Sequence, residues 1–332
     1  MLITRTPLRV SFFGGGTDYP AYFRHHGGET LGATIDKFSY IVVTPLSSLW
    51  EHRLHVSYSR TERTSSVDTI KHPSVRACLQ HLGINEGVEI HYSGDLPARS
   101  GLGSSSSFTV GLLHALHAFR HETVEDIQLA KEAVHVEQDI IGERVGIQDQ
   151  YTCAVGGIVL LRIARSGEVH VSQIPIKPQR LAELQDRLLL VYTGILRYSH
   201  RVLATQLDRT SKGLNDRVLR GIRSLVPRAV DILCGTSCLD EFGVLLGKAW
   251  RNKRELSSSV SNATIDSIYD RAIASGALGG KLLGAGSGGF LLFYVPLEHR
   301  EQVARALADL TQVRFSFFPA GSSLVTDVFR EG

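Results

Sequence analysis

The sequence predicts an α+β protein of two lobes, and three observations carry that expectation. Strand-like and helix-like segments are interleaved from one end of the chain to the other. Glycine-rich breaks fall where strands end and helices begin. The 332 residues are also about twice the length of an ordinary domain, so two domains sharing a cleft is the natural arrangement. With 43% hydrophobic and 21% charged residues, the composition is that of a globular chain able to bury a sizeable core.

Taken in order, Leu8–Phe13 is rich in β-formers and is stopped by Gly14–Gly16; Phe38–Pro45 reads as a buried strand. His55–Ser59 and Val88–Ser93 are further strands. From Phe108 the period changes, since Phe108, Leu112, Leu116 and Phe119 recur at helical spacing. Thr123 and Asp126 have capping-box spacing, which starts a second helix that runs to about Ile141 before Gly142 and Gly146 break it. Gly156–Ile163 is a strand, and Pro175–Pro178 is the seam between a lobe at 1–178 and a lobe at 179–332. Beyond it come a strand at Arg187–Tyr192, polar helices to about Ala274 and a strand within Gly288–Pro296. A helix near Glu298–Leu310 and a closing strand at Arg314–Phe318 complete the expectation.

Charge and cysteine usage exclude several roles. Lysine and arginine number 36 against 33 acids, a net +3 that is too small for a nucleic-acid track. Cys78, Cys153, Cys234 and Cys238 lack zinc-type pairing and read as reduced thiols. The opening residues lack the apolar core of a signal peptide, and no stretch approaches the roughly 20 apolar residues that cross a bilayer. The expectation is a cytoplasmic protein that binds neither nucleic acid nor membrane.

Three glycine clusters and two acids carry the chemistry. The run from Asp95 to Ser107 (DLPARSGLGSSSS) feeds directly into the helix of Phe108. Glycines there let backbone approach a ligand, and the free N–H groups of the helix start attract phosphate. Gly101-Leu-Gly103 lacks the third glycine of a dinucleotide fingerprint, and Gly279-Gly280-Lys281 has neither the following Ser/Thr nor the upstream spacing of a Walker A loop. Gly284–Gly289 (GAGSGG) precedes a β-rich run, so close backbone packing and ligand contact are equally good readings of it. In the first cluster, Asp18 follows Gly14-Gly-Gly-Thr17 after a strand; it is either a ligand for vicinal sugar hydroxyls or a turn-former. Ile127, Val134 and Ile141 mark a buried stripe with Glu137 on its edge, and Asp149 follows in a loop. Two acids beside a phosphate loop suit a kinase, one holding magnesium and one handling the attacking hydroxyl.

The series P-x-R-V with GGGTD, then P-x-x-x-GLGSSS, then E…QD, then GAGSGG resembles the motif series of the galactokinase–homoserine kinase–mevalonate kinase–phosphomevalonate kinase (GHMP) superfamily over nearly the whole chain. The resemblance implies an N-lobe like ribosomal protein S5 domain 2 and a ferredoxin-like C-lobe, with ATP and acceptor between them. It implies that Pro97, Ser100, Gly101, Leu102, Gly103, Ser104, Ser105 and Ser106 surround the ATP phosphates. Ser105 and Glu137 match magnesium positions, Asp149 the catalytic base, and Arg9 a stabiliser of the transferred group. Thr17 and Asp18 match the sugar-binding segment, and Gly286, Ser287 and Gly288 border the acceptor.

GGGTDYPAYF, QDQY and YTGILRYSHRVL are most similar to the D-glycero-D-manno-heptose 7-phosphate kinase branch, which acts at the anomeric hydroxyl. Its phosphorylated acceptor requires a cationic clamp, for which Arg197, His200 and Arg201 are candidates alongside a plain solvated helix start. Arg99 and Ser107 replace smaller residues common in the family's second motif. A fucose-type sugar 1-kinase, a binding or regulatory protein on the same scaffold, and a related ATP-dependent decarboxylase are the alternatives; a homodimer is left open.

Overall fold

The computed structural model describes residues 1–98, 100–195 and 199–327, with backbone alone for 199–202, 326 and 327. Twelve strands are present among these residues: β1 (Leu2–Phe13), β2 (Gly28–Pro45), β3 (Leu54–Ser57), β4 (Thr61–Thr64), β5 (Val88–Gly94), β6 (Ile158–Ile163), β7 (Val169–Gln173), β8 (Leu188–Tyr192), β9 (Gly279–Leu282), β10 (Phe290–Tyr294), β11 (Thr311–Val313) and β12 (Ser323–Asp327). They form two sheets, which bears out the α+β expectation.

The first sheet is organised by the 18-residue β2. One edge of β2 pairs with β1 along its length, while the other pairs first with β6 over Gly28–Ala33 and then with β5 over Ser39–Pro45. The register of β1 against β2 shifts between Pro7 and Leu8. Proline has no N–H to give the ladder, so a bulge there is the expected accommodation. β3 joins β5 in parallel, β4 follows β3, and β12 covers the free edge of β1. The second sheet has the antiparallel order β11-β8-β10-β9.

Helices Pro73–His81, Ser104–Phe119 and Asp126–His135 cover one face of the first sheet, with Leu79, Leu112, Leu116 and Leu129 buried between. A second apolar core fuses the lobes. Phe12 and Phe13 at the end of β1 meet Phe242 of helix Asp240–Glu255 edge-on, with centroids 5.3 and 5.2 Å apart. Edge-to-face rings at that separation add to the burial of three aromatic side chains. Leu102 of the glycine loop lies in this same core with Leu283 and Phe290, so the loop is anchored from both lobes.

Three expectations for the second helix need correction. The second helix begins at Asp126 with no side-chain cap, so Thr123 and Asp126 form no capping box. It does not stay α-helical to Ile141, because Val136–Ile140 forms a π-helical turn closed by Ile141 N–H donating to Val136 O at 3.0 Å. Its buried face is Leu129, Ala130, Ala133, Val136 and Glu137, while Ile127, Val134 and Ile141 are only half-buried. Small alanines allow the closest approach to the neighbouring helices, and the larger residues flank that contact.

At the C-terminal end, residues 314–318 are not a strand; β11 ends at Val313 in the second sheet, and β12 starts at Ser323 in the first. Phe317 makes one bridge with Ile35, and the segment crosses between the sheets with Ser316 O accepting from Asp36 N–H at 2.9 Å.

Candidate active site

β1 delivers Arg9 to the middle of the molecule, where its neighbours Leu8 and Val10 are core residues. A buried guanidinium must have all its donors matched. Arg9 Nε and a terminal nitrogen donate to the two carboxylate oxygens of Asp149, at 2.8 and 2.7 Å. The other terminal nitrogen donates to Gly101 O at 2.7 Å. Such fork-to-carboxylate pairing sets both position and plane. It ties Asp149, in the first turn of helix Gln148–Val155, to the glycine loop.

The loop's glycines are required by its geometry. Gly101 and Gly103 have φ of +89° and +75°, a region that other residues enter at a cost of roughly 1–2 kcal/mol. A Cβ on Gly103 would stand 3.1 Å from Arg9 Cγ and 3.4 Å from Asp149 Oδ2, so this glycine packs on the ion pair. A Cβ on Gly101 would stand 2.8 Å from Leu283 O, and one on Gly289 2.2 Å from Ser100 O. The loop at 284–289 therefore packs backbone to backbone against the first loop. Phe290 N–H donates to Ser100 O at 3.2 Å, which locks the two together. Within it, Ser287 has φ of +66° and is held by Ser287 Oγ donating to Ser259 O at 2.6 Å; Gly286 lies against Val260 and Gly288 against Ile195.

Helix Ser104–Phe119 starts straight after Gly103, with Ser104 and Ser106 buried and Ser105 exposed. Ser100 and Leu102 are buried and Pro97 is exposed at the loop's entrance. The serine hydrogen-bonded to Glu137 is Ser106, next to Ser105, which was matched to a magnesium position. Ser106 Oγ donates to Glu137 Oε2 at 3.0 Å, and Gln150 Nε2 donates to the same oxygen at 2.5 Å. Glu137 is only 1% exposed, and its Oε1 has no hydrogen-bond partner among the described residues. Burial pushes its carboxyl up to about 7, against the opposing pull of Thr109, Gln150 and Ser106. The π turn delivers this acid, and such turns recur at functional sites because they re-aim side chains.

The first glycine cluster closes the other side. Thr17 Oγ1 donates to Gly14 O and Glu29 O at 2.8 and 3.0 Å and accepts from Glu29 N–H at 3.1 Å, so this hydroxyl holds the turn onto β2. Asp18 accepts from Gly16 N–H at 2.9 Å and from Gln148 N–H at 3.2 Å. It therefore docks the GGGTD turn onto the residue before Asp149. Burial raises its pKa, and the nearby Asp149 charge acts in the same direction. Gly146 passes so close that a Cβ would fall 2.0 Å from Asp18 Oδ2.

Several contributors were not singled out from sequence. Ser11 Oγ donates to Gln148 Oε1 at 2.9 Å, leaving Gln148 Nε2 buried without a partner among the described residues. Lys281 of β9 is buried and donates from Nζ to Phe12 O at 2.8 Å, joining the lobes. Burial, with Arg9 close by, lowers its pKa to about 7, partly opposed by Asp18. Arg197 lies outside the described residues, as do the side chains of His200 and Arg201 in helix Ser199–Ser211.

A glycine loop that starts a helix, an arginine-clamped carboxylate and a buried acid thus lie together. Residues 69–157 match the model of the GHMP kinases N terminal domain, and residues 232–311 that of the GHMP kinases C terminal. A curated relative, D-glycero-alpha-D-manno-heptose 7-phosphate kinase of Campylobacter jejuni, is 30% identical over 318 residues, covering 92% of each chain. The chain belongs to the GHMP kinase family. Like the other GHMP kinases, it is an ATP-dependent phosphotransferase with an alcohol group as acceptor. The GHMP fold expected from the motifs is borne out by a solved structure, D-glycero-D-manno-heptose 1-phosphate kinase from Bacteroides thetaiotaomicron, with TM-score 0.80 and 23% identity over 98% of this chain and 99% of that one. A bifunctional fucokinase/GDP-fucose pyrophosphorylase of Arabidopsis thaliana is 26% identical over 86% of this GHMP chain, which spans 29% of that longer protein. No helix among the described residues is long and apolar enough to cross a membrane.

Proposed function

We propose that this GHMP kinase transfers the γ-phosphoryl group of ATP to the C1 hydroxyl of D-glycero-D-manno-heptose 7-phosphate, forming the 1,7-bisphosphate. The observation that carries the reading is the pair of buried Arg9 with half-buried Asp149, set on the Gly101–Gly103 turn. It is supported by the likeness to the Campylobacter heptose 7-phosphate kinase over 92% of the chain.

The glycine loop and helix start cradle the ATP phosphates through backbone N–H groups, and the serine hydroxyls add donors. Asp149 accepts a hydrogen bond from the acceptor hydroxyl. With both oxygens already engaged by Arg9, it orients the hydroxyl more than it deprotonates it. That division suits a loose transition state and an anomeric hydroxyl, which is more acidic than an ordinary alcohol. Arg9 adds a fixed positive charge beside the transferred group. Asp18 takes sugar hydroxyls on its remaining lone pairs.

Magnesium fits the acid on the π turn. Glu137 keeps one carboxylate oxygen unpartnered in a buried setting that disfavours its bare charge, as a hard cation's ligand would. Glu137 with Ser105 and Ser106 would hold the ion, which would neutralise phosphate charge. The segment carrying Arg197, His200 and Arg201 supplies the clamp for the acceptor's own phosphate.

The test is incubation with Mg-ATP and D-glycero-D-manno-heptose 7-phosphate, following ADP release and the phosphorus NMR spectrum. A new anomeric phosphate, absent with free heptose or fucose, is expected. Turnover of a free sugar but not of the heptose phosphate refutes the acceptor, while ATP binding without turnover across a sugar panel refutes the catalytic reading.

A further inference from the structure

The outer face of the first sheet carries a cluster that phosphoryl transfer does not use. In β3 and β5 the residues Leu54, Val56, Val88 and Ile90 point into the core. Strand periodicity places the alternating His55, Glu89 and His91 on the opposite face. β3 and β5 pair in parallel with His55 opposite Glu89, and His91 is the next residue along that face. The imidazoles converge on a single carboxylate oxygen: His55 Nδ1 lies 2.7 Å and His91 Nε2 2.9 Å from Glu89 Oε1. The three donor atoms all lie within 4.8 Å of one another. Thr44 Oγ1 on β2 donates to the other carboxylate oxygen at 3.4 Å, which fixes the plane of Glu89. A third imidazole-bearing residue, His52, packs edge-on to His55 with centroids 5.8 Å apart.

We infer that His55, Glu89 and His91 form a binding site for a divalent transition metal of the zinc, cobalt or nickel class. Two imidazole nitrogens and one carboxylate oxygen are a donor set such ions favour, with His52 or water in the remaining position. Magnesium and calcium prefer all-oxygen shells, so the set selects against the ion of the kinase reaction. Donor atoms of a tetrahedral site stand about 3.4 Å apart when metal bonds are about 2.1 Å. The present separations of 2.7 and 2.9 Å to Glu89 therefore widen by about 0.5–0.7 Å, a side-chain adjustment on half-buried residues. On binding, the nitrogens now hydrogen-bonded to Glu89 present lone pairs to the ion, and the proton of each neutral ring sits on its other nitrogen. The bound ion would staple the short β3–β4 hairpin to β5, on the face of the sheet away from the helix that follows the glycine loop.

The experiment uses the whole chain, stripped with chelator and held in excess Mg2+ so that oxygen-donor sites are filled. Co2+ alone is then titrated, following visible absorption and bound metal. One equivalent with the bands of a nitrogen-containing, low-coordinate site is expected. His91→Ala and Glu89→Gln are each expected to weaken binding by at least the roughly 10–100-fold that even an outer partner of a metal site contributes. His91 is 43% exposed in its side chain, so its truncation leaves the fold intact, which thermal melting checks. Absence of Co2+ binding by the parent chain, or unchanged bands and stoichiometry in both variants, overturns the assignment.

Discussion

Glu137→Gln separates the two things that the buried acid does. Burial raises its carboxyl from an ordinary 4.5 to about 7. At 1.36 kcal/mol per pKa unit, ionising it in the folded, metal-free protein costs about 3 kcal/mol more than in the unfolded chain. The sign follows from proton counts. Between pH 4.5 and 7 the folded state holds a proton that the unfolded state has released, so stability falls as pH rises through this window. Below it the penalty is absent, and above it the full penalty is present. Unfolding entropy of about 2.1 cal/mol/K per residue over 332 residues converts about 3 kcal/mol into a Tm difference of about 4–5 °C. Thermal melts in chelator from pH 4 to 8 should show the parent losing that much more than Glu137→Gln. Added Mg2+ should restore stability at pH 8 to the parent and not to the variant. Parallel pH slopes in the two proteins would falsify the claim that this acid is buried and unneutralised.

Asp149→Asn should keep ATP affinity while turnover falls by roughly 100- to 10,000-fold, as expected for a group acting on the attacking hydroxyl; single-turnover kinetics with preformed ATP complex decide it. Gly103→Ala should lower kcat through displacement of Arg9 and Asp149, and cost about 1–2 kcal/mol in urea melts from its positive φ; undiminished kcat would show that the pair tolerates movement. Arg197→Ala should raise KM for a phosphorylated sugar at least tenfold with ATP KM unchanged, and equal effects on phosphorylated and free sugars would remove Arg197 from the clamp.

Much of the framework was legible because many strands here are short runs of β-branched and aromatic residues bounded by glycine or proline, although only the second half of the long β1 and β2 was read. Leu188–Tyr192, Val88–Gly94 and Ile158–Ile163 lie within two residues of the expected bounds. β4 (TERT) was not legible, since an edge strand that alternates between exposed and half-exposed residues carries no apolar signal. The π turn was hidden for a different reason: a one-residue insertion into a helix shifts the phase without changing composition. Glu137 sits within the buried face because it follows Leu129 and Ala133 at i+4 spacing, a stripe whose small alanines carry little apolar signal. The glycine loops were visible as loops, but their mutual packing was not, because nothing in GAGSGG states which backbone it will touch. Lys281 looked like part of a failed phosphate motif; only the fold brings its ammonium to the carbonyl of Phe12.

The pairing of β12 with β1 has a consequence for biosynthesis. β1 is made before the other strands of its sheet, and one of its edges waits for Ser323–Asp327, about 150 residues after β7 ends. At roughly 5–20 residues per second, the nascent first sheet exposes an unpaired edge for about 8–30 s. Open edges of that kind recruit strands from other chains. A stall or truncation in the second lobe therefore leaves this edge of the first sheet open.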